Sequence, residues 1–140
     1  MPNKFGLLLL SLLLTACAKP PAEEIIREHM DGIQQAVEAK KSRDVLQFLK
    51  EDFLGNNHVD KLEVRRILVA QFLRHNNISV VFSSLDVEYR PELPYRATMT
   101  GLVAVTGAEN LLPDDGRLLS IDGTWGLVED EWRLETLNWQ

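Results

Sequence analysis

The stretch IDGTWGLVEDEWRLETLNW, Ile121 to Trp139, reads as a closing β-hairpin. Apolar and polar residues alternate on both sides of Glu129-Asp130, the pattern of two half-buried strands around a two-residue turn. With the turn there, Leu127 sits opposite Trp132, Trp125 opposite Leu134, Gly123 opposite Thr136 and Ile121 opposite Asn138. Cross-strand partners share a face and parity repeats every second residue, so all of these are expected on one inner face. That face is aromatic and aliphatic near the turn. It becomes small and polar at Gly123, Thr136 and Asn138, which suggests a mostly apolar cavity there.

Upstream of the hairpin the pattern stays alternating as far back as Ile78. Ile78, Val80 and Phe82 share one parity, while Leu85, Val87 and Tyr89 share the other. A switch around Ser83-Ser84 predicts a bulge in one long strand. Pro91 and Pro94 close it. Tyr95 to Thr106 is a second strand, with Ala97, Met99, Val103 and Val105 on one face. Gly107 to Gly116 is a loop that holds the turn signature Pro113-Asp114-Asp115-Gly116 and, unusually for a loop, Leu111 and Leu112. Arg117 to Val128 and Glu131 to Trp139 are the hairpin strands.

Before Ile78 the period is helical. Pro21 with Glu23 and Glu24 suits a helix start, and Ile26, Met30, Ile33 and Val37 make one apolar stripe ending near Lys40-Lys41. Asp44 is expected to cap a second, short helix carrying Val45, Leu46, Phe48 and Leu49, broken by Gly55-Asn56-Asn57. Asp60 with Glu63 resembles a capping box and opens a third helix that runs to about His75. Its Val64, Ile67, Leu68 and Phe72 form one face, and Leu62, Val69 and Leu73 lie nearly opposite, so packing on both sides is expected. Helices first and an antiparallel sheet afterwards read as α+β.

From Glu23 to Gln140 this order, with the long bent strand and the closing hairpin from Gly123-Thr124-Trp125 through Glu131-Trp132-Arg133-Leu134 to Trp139, resembles the nuclear transport factor 2-like superfamily (SnoaL-like, cystatin-like). The resemblance implies N-terminal helices packed on a strongly curved antiparallel sheet, a cone with a pocket. Its members include isomerases, dehydratases, polyketide cyclases and many non-enzymatic binding or dimerising modules, so the fold does not select a function.

The N-terminus carries a second resemblance. Lys4, the apolar run Phe5 to Leu13, and Leu14-Thr15-Ala16-Cys17 describe an exported chain. The last four residues resemble the lipobox of bacterial lipoproteins, which implies lipidation of Cys17 as the new N-terminus. The run is too short for a transmembrane helix. An ordinary signal cut at Ala16-Cys17-Ala18 is the rival reading, and it would discard the sole cysteine. The expected organisation is a signal peptide at 1–16, the lipidated Cys17 with a proline-containing tether at 17–22, and one domain at 23–140. Ala18, where inner-membrane lipoproteins carry aspartate, implies the periplasmic leaflet of an outer membrane.

The formal net charge of −6 and the lack of any Lys/Arg-rich run argue against a nucleic-acid partner. A cysteine-based zinc site is excluded by cysteine count, His29, His58 and His75 lack metal-ligand spacing, and Asp114-Asp115 lacks the calcium-loop pattern. No metal or cofactor is expected. The pocket candidates are His29 at the edge of the first stripe, Gln71 within the third helix, and Gly123, Trp125, Thr136 and Asn138 on the hairpin. The commoner reading makes His29 a core-bordering histidine, Gln71 an amide bonded to backbone, and Trp125 core. Asp122 should point outward, away from any pocket, and Tyr89 and Tyr95 have no specified acid or base partner.

Three functions remain open: a lipid-anchored, non-enzymatic module for a small apolar ligand or protein partner; an isomerase or dehydratase using His29; and a structural envelope-assembly protein that forms a homodimer through its sheet. The anchor makes a direct prediction. The intact mature mass should equal Cys17 to Gln140 plus acyl groups, and Cys17→Ser should leave the chain uncleaved and unlipidated. A lipid-free protein beginning at Lys19 would contradict it.

Overall fold

The computed structural model describes residues 21–107 and 117–140. Cys17 with its flanking segment, Leu111-Leu112 and the Pro113 to Gly116 signature lie outside the described residues.

Pro21 fixes the entry of α1 (Ala22–Glu38), its carbonyl accepting from the Glu24 and Ile25 amides. The helix thus takes in Ala22, one residue of the expected tether. Ile26, Met30 and Ala36 of the predicted stripe side are buried, and Ile33 and Val37 pack beside them. Fully burying a side chain such as Ile26 or Met30 stabilises by about 1.5–3 kcal/mol. Two polar ties hold α1 across the sheet. Arg27 Nη1 donates to the Leu85 carbonyl at 2.7 Å, and Glu38 Oε1 accepts from the Val80 amide at 3.0 Å.

α2 is only Ser42–Leu46, with Lys41 at its N-cap and no side-chain cap, so Asp44 does not play the expected part. Phe48 and Leu49 are not helical. Leu49–Gly55 forms β1, followed by the short β2, Val59–Asp60. The expected helix is present through Val45 and Leu46 but ends there, and the reason that the sequence pattern carries it too far is clear. Leu49 and Phe53 are both buried, and a spacing of four keeps two residues on one side of a helix and of a strand alike.

α3 (Lys61–Arg74) begins as predicted. Asp60 is its N-cap and accepts from the Glu63 amide at 2.8 Å. The Glu63 carboxylate turns to Arg66 instead, at 3.2 Å. The other end is capped from outside: Lys40 Nζ donates to the Phe72 carbonyl at 3.0 Å and to the His75 carbonyl, placing a cation at the negative end of the helix. Among the described residues α3 packs on one side and not on both. Val64, Leu68 and Phe72 are half-buried, but Leu62 and Leu73 are exposed and no residue of α3 is fully buried.

The strands β3 (Ile78–Tyr89), β4 (Arg96–Gly107), β5 (Arg117–Val128) and β6 (Glu131–Trp139) complete a six-stranded sheet in the order β2-β1-β6-β5-β4-β3. The sheet is mixed rather than wholly antiparallel, because β1 lies parallel to β6. The β3 bulge falls where the parity switch puts it, between Ser83 and Asp86, with Ser84 at φ 51°. Glu129 and Asp130, at φ 50° and 64°, form the two-residue turn, as the primed turns of hairpins require.

The hairpin register is right near the turn and wrong beyond it. Leu127 pairs with Trp132 and Trp125 with Leu134, but the register then shifts, pairing Thr124 with Thr136, Gly123 with Leu137, Asp122 with Asn138 and Ile121 with Trp139. Glu135 is the extra residue. It sends Thr136 and Asn138 to the outer face and brings Leu137 and Trp139 inward. On the outer face Thr124 and Thr136 share a 2.8 Å hydroxyl contact, and Asn138 Nδ2 donates to Asp122 Oδ1 at 3.1 Å. The inner face at Gly123 is filled: a Cβ there would lie 2.7 Å from the Thr136 carbonyl oxygen and 3.3 Å from Leu137 Cδ1. Gly123→Ala should therefore cost about 1–3 kcal/mol by overpacking, read as a lower urea midpoint. An unchanged midpoint would contradict the register.

Candidate functional site

The cavity expected at Gly123, Thr136 and Asn138 is absent, for the reason just given. A cleft of about 800 Å³ opens instead at the turn end of the hairpin, bounded by Pro21, Ala22 and His29 from α1, by Phe48, and by Tyr89, Leu127 and Trp132 from the sheet. Asp130, Glu131 and Arg133 give it a charged edge. The same bulge that closes one end of the inner face with Leu137 leaves this end to large rings with space between them.

His29 is half-buried on α1, one turn ahead of Gly32. A Cβ at Gly32 would sit 2.7 Å from Phe48 Cζ, so glycine lets the Phe48 ring lie against the helix. The His29 ring then stands 5.3 Å from that of Phe48 and 5.9 Å from that of Trp125. Tyr89 meets Trp132 edge-on, at 6.1 Å and 85°. Trp125 is fully buried beneath His29 and pairs with Leu134 across the hairpin.

Two polar atoms at this place have no hydrogen-bond partner among the described residues: His29 Nδ1 and Trp125 Nε1. An indole nitrogen can only donate, and a neutral imidazole offers one acceptor. Burial, and then the nearby Arg133 guanidinium, push the His29 pKa below its ordinary value of 6.5; a backbone hydrogen bond at Trp132 and the charges of Glu28 and Glu131 oppose this without reversing it. The ring is neutral at neutral pH. A donor and an acceptor, both buried and both unmet, thus stand on neighbouring rings, of which His29 lines the cleft and Trp125 lies behind it, outside the lining.

Of the other sequence candidates, Gln71 is half-buried on α3 and does not line the cleft. Asp122 is exposed, as its parity required. Tyr95 is 71% exposed, whereas Tyr89 lines the cleft. His58 is exposed, its Nδ1 at 2.7 Å from the Asn56 carbonyl oxygen. Phe48 and Tyr89 were the residues missed as cleft walls. The strand register gave a signal for Tyr89, opposite Ala97 on the inner face; nothing local marked Phe48. Among the described residues no three His, Cys, Asp or Glu side chains gather to hold a metal ion.

No protein-family model matches the chain, and no curated protein matches it in sequence. Solved structures do. An NTF2-like protein of unknown function from Pseudomonas putida KT2440 superposes with a TM-score of 0.70 at 12% identity, covering 85% of each chain. A protein of unknown function with a cystatin-like fold from Nostoc punctiforme gives 0.65 at 15% identity, over 83% of this chain and 87% of the other. A protein provisionally assigned as a scytalone dehydratase, from Novosphingobium aromaticivorans, gives 0.71 at 13% identity, over 84% and 81%. The chain has the NTF2-like fold: α+β, with its N-terminal helices on a six-stranded mixed sheet.

The lowered pKa of His29 fixes the sign of a pH effect. Below about pH 6.5 the unfolded chain takes up a proton that folded His29 refuses until lower pH, so stability falls as pH drops through that window. From about pH 7.5 to about pH 5.5 the native chain should lose more stability in urea than His29→Phe does, since His58 and His75 are common to both. An equal loss, or a gain, would contradict a buried neutral imidazole.

Proposed function

We propose that this protein is a non-enzymatic binding module whose cleft takes a small, mostly apolar molecule bearing one hydroxyl group. The unmatched pair of His29, on the cleft lining, and Trp125, behind it, carries the reading. A hydroxyl both donates and accepts, so one such group between the rings accepts from Trp125 Nε1–H and donates to His29 Nδ1. Each buried polar atom left unmet costs about 1–3 kcal/mol, and a ligand that satisfies both recovers that cost. Phe48, Tyr89, Leu127 and Trp132 supply apolar walls suited to a ring or short hydrocarbon body. Leu14-Thr15-Ala16-Cys17 and Ala18 support an envelope location, with acylated Cys17 holding the module at the periplasmic face of the outer membrane.

A second reading has one observation in its favour. A neutral imidazole in a cleft can take a proton, so His29 could act as the base of a dehydratase or isomerase, the activity provisionally assigned to one of the similar structures. Among the described residues no carboxylate hydrogen-bonds its ring to orient it. Glu131 at the cleft edge is engaged by Arg133, and Asp130 lies in the turn.

Native mass spectrometry of the full chain, extracted gently from its membrane, should show a co-purifying small molecule and the oligomeric state together. Calorimetric titration then separates the readings. 2-Naphthol should bind at least roughly tenfold more tightly than naphthalene, a hydrogen bond's worth of discrimination or more, and His29→Phe should reduce the difference. Equal affinities in the native chain would overturn the proposal. Turnover of a hydroxylated ligand that His29→Gln abolishes would favour the enzyme.

A further inference from the structure

The outward side of α3 is an apolar stripe on a basic helix. Leu62, Val69 and Leu73 are 53%, 41% and 85% exposed. At 3.6 residues per turn they fall within about 40° of one another, with Arg65 bordering them on one side and Arg66 on the other. The helix carries Lys61, Arg65, Arg66 and Arg74 against one acid, Glu63, on a chain whose net charge is −6. Lys61 is engaged inward, by Glu51 and the Leu49 carbonyl. The arginines stand outside, with Arg66 paired to Glu63. Apolar side chains bracketed by exposed arginines are what a helix presents when it lies in the headgroup layer of an anionic bilayer. Guanidinium groups meet phosphates, and the stripe enters the acyl boundary.

We propose that α3 is a membrane-facing surface, docking on anionic phospholipid through Leu62, Val69 and Leu73 with Arg65, Arg66 and Arg74 on the headgroups. The charge argument selects this occupant: on an acidic protein, α3 sets three exposed arginines and a single acid around its exposed apolar stripe. The stripe costs little to present, because α3 is held by its other side and by its ends, through Asp60 and Lys40. The proposal rests neither on the cleft nor on acylation of Cys17. An anchor there would only raise the local concentration of the helix at the bilayer.

Leu73→Trp in the full chain places a reporter on the stripe, and Tyr95→Trp places one at an exposed position away from α3. Both are mixed with vesicles of phosphatidylglycerol and phosphatidylcholine that carry doxyl-labelled lipid. Expected is a blue-shifted, lipid-quenched emission from Leu73→Trp and little change from Tyr95→Trp. The effect should be lost in phosphatidylcholine alone, at high salt, and when Arg65→Glu and Arg66→Glu are added. Equal quenching at both positions would mean that the chain binds lipid elsewhere, and no quenching at either would mean that α3 stays in water. A concentration-dependent blue shift without lipid would assign the stripe to a second copy. Each of these three results overturns the proposal.

Discussion

Glu135 is one residue more than the β5–β6 pairing can use, and it is held on the outer face of the sheet by Lys50 at 3.3 Å and Arg96 at 3.5 Å. Its position decides what the inner face contains. On the turn side of the bulge the inward residues are Trp125, Leu127, Trp132 and Leu134; beyond it they are Ile121, Leu137 and Trp139. Moving the extra residue would turn Leu137 and Trp139 to the outside and bring Thr136 and Asn138 into the core, because a one-residue slip exchanges the faces of a strand. These ion pairs are partly shielded, the Glu135 side chain being 23% exposed, and they act on register more than on net stability.

The cleft follows from that arrangement and from α1. The rings nearest the turn are too large to interlock completely, and α1 lays His29 and Gly32 over them rather than an unbroken aliphatic stripe. Gly32 admits Phe48, Phe48 confines His29, and His29 lies over Trp125. The outcome is a buried, aromatic place with one donor and one acceptor left over. Interiors seldom leave such groups unmet, and His29 of this pair lines an opening large enough for a small molecule.

Much of this was legible in the sequence, and the parts that were not share a physical cause. The Ser83-Ser84 bulge could be read because the apolar parity changes between Phe82 and Leu85. The same signal stands in β6, where Trp132 and Leu134 share one parity and Leu137 and Trp139 the other. Taking the hairpin as unbroken moved Thr136 and Asn138 to the wrong face and put the cavity at the wrong end. His29 and Trp125 were found as candidates, but nothing in the chain places one ring over the other. β1 was hidden because its buried Leu49 and Phe53 fit either period and Lys50-Glu51-Asp52 look like a solvated helix face. Its pairing is with β6, far along the chain, and local propensity says nothing about such a partner.

The central claim is that His29, on the cleft lining, and Trp125, behind it, hold an unmet acceptor and donor that a ligand in the cleft can reach. Nitrogen-15 NMR of the His29 ring and the Trp125 indole at neutral pH tests it most directly. The account predicts a neutral imidazole with a bare Nδ1, and an indole N–H resonance that moves downfield with 2-naphthol but not with naphthalene. A protonated His29 at that pH, or an Nδ1 already bonded within the protein, would contradict it.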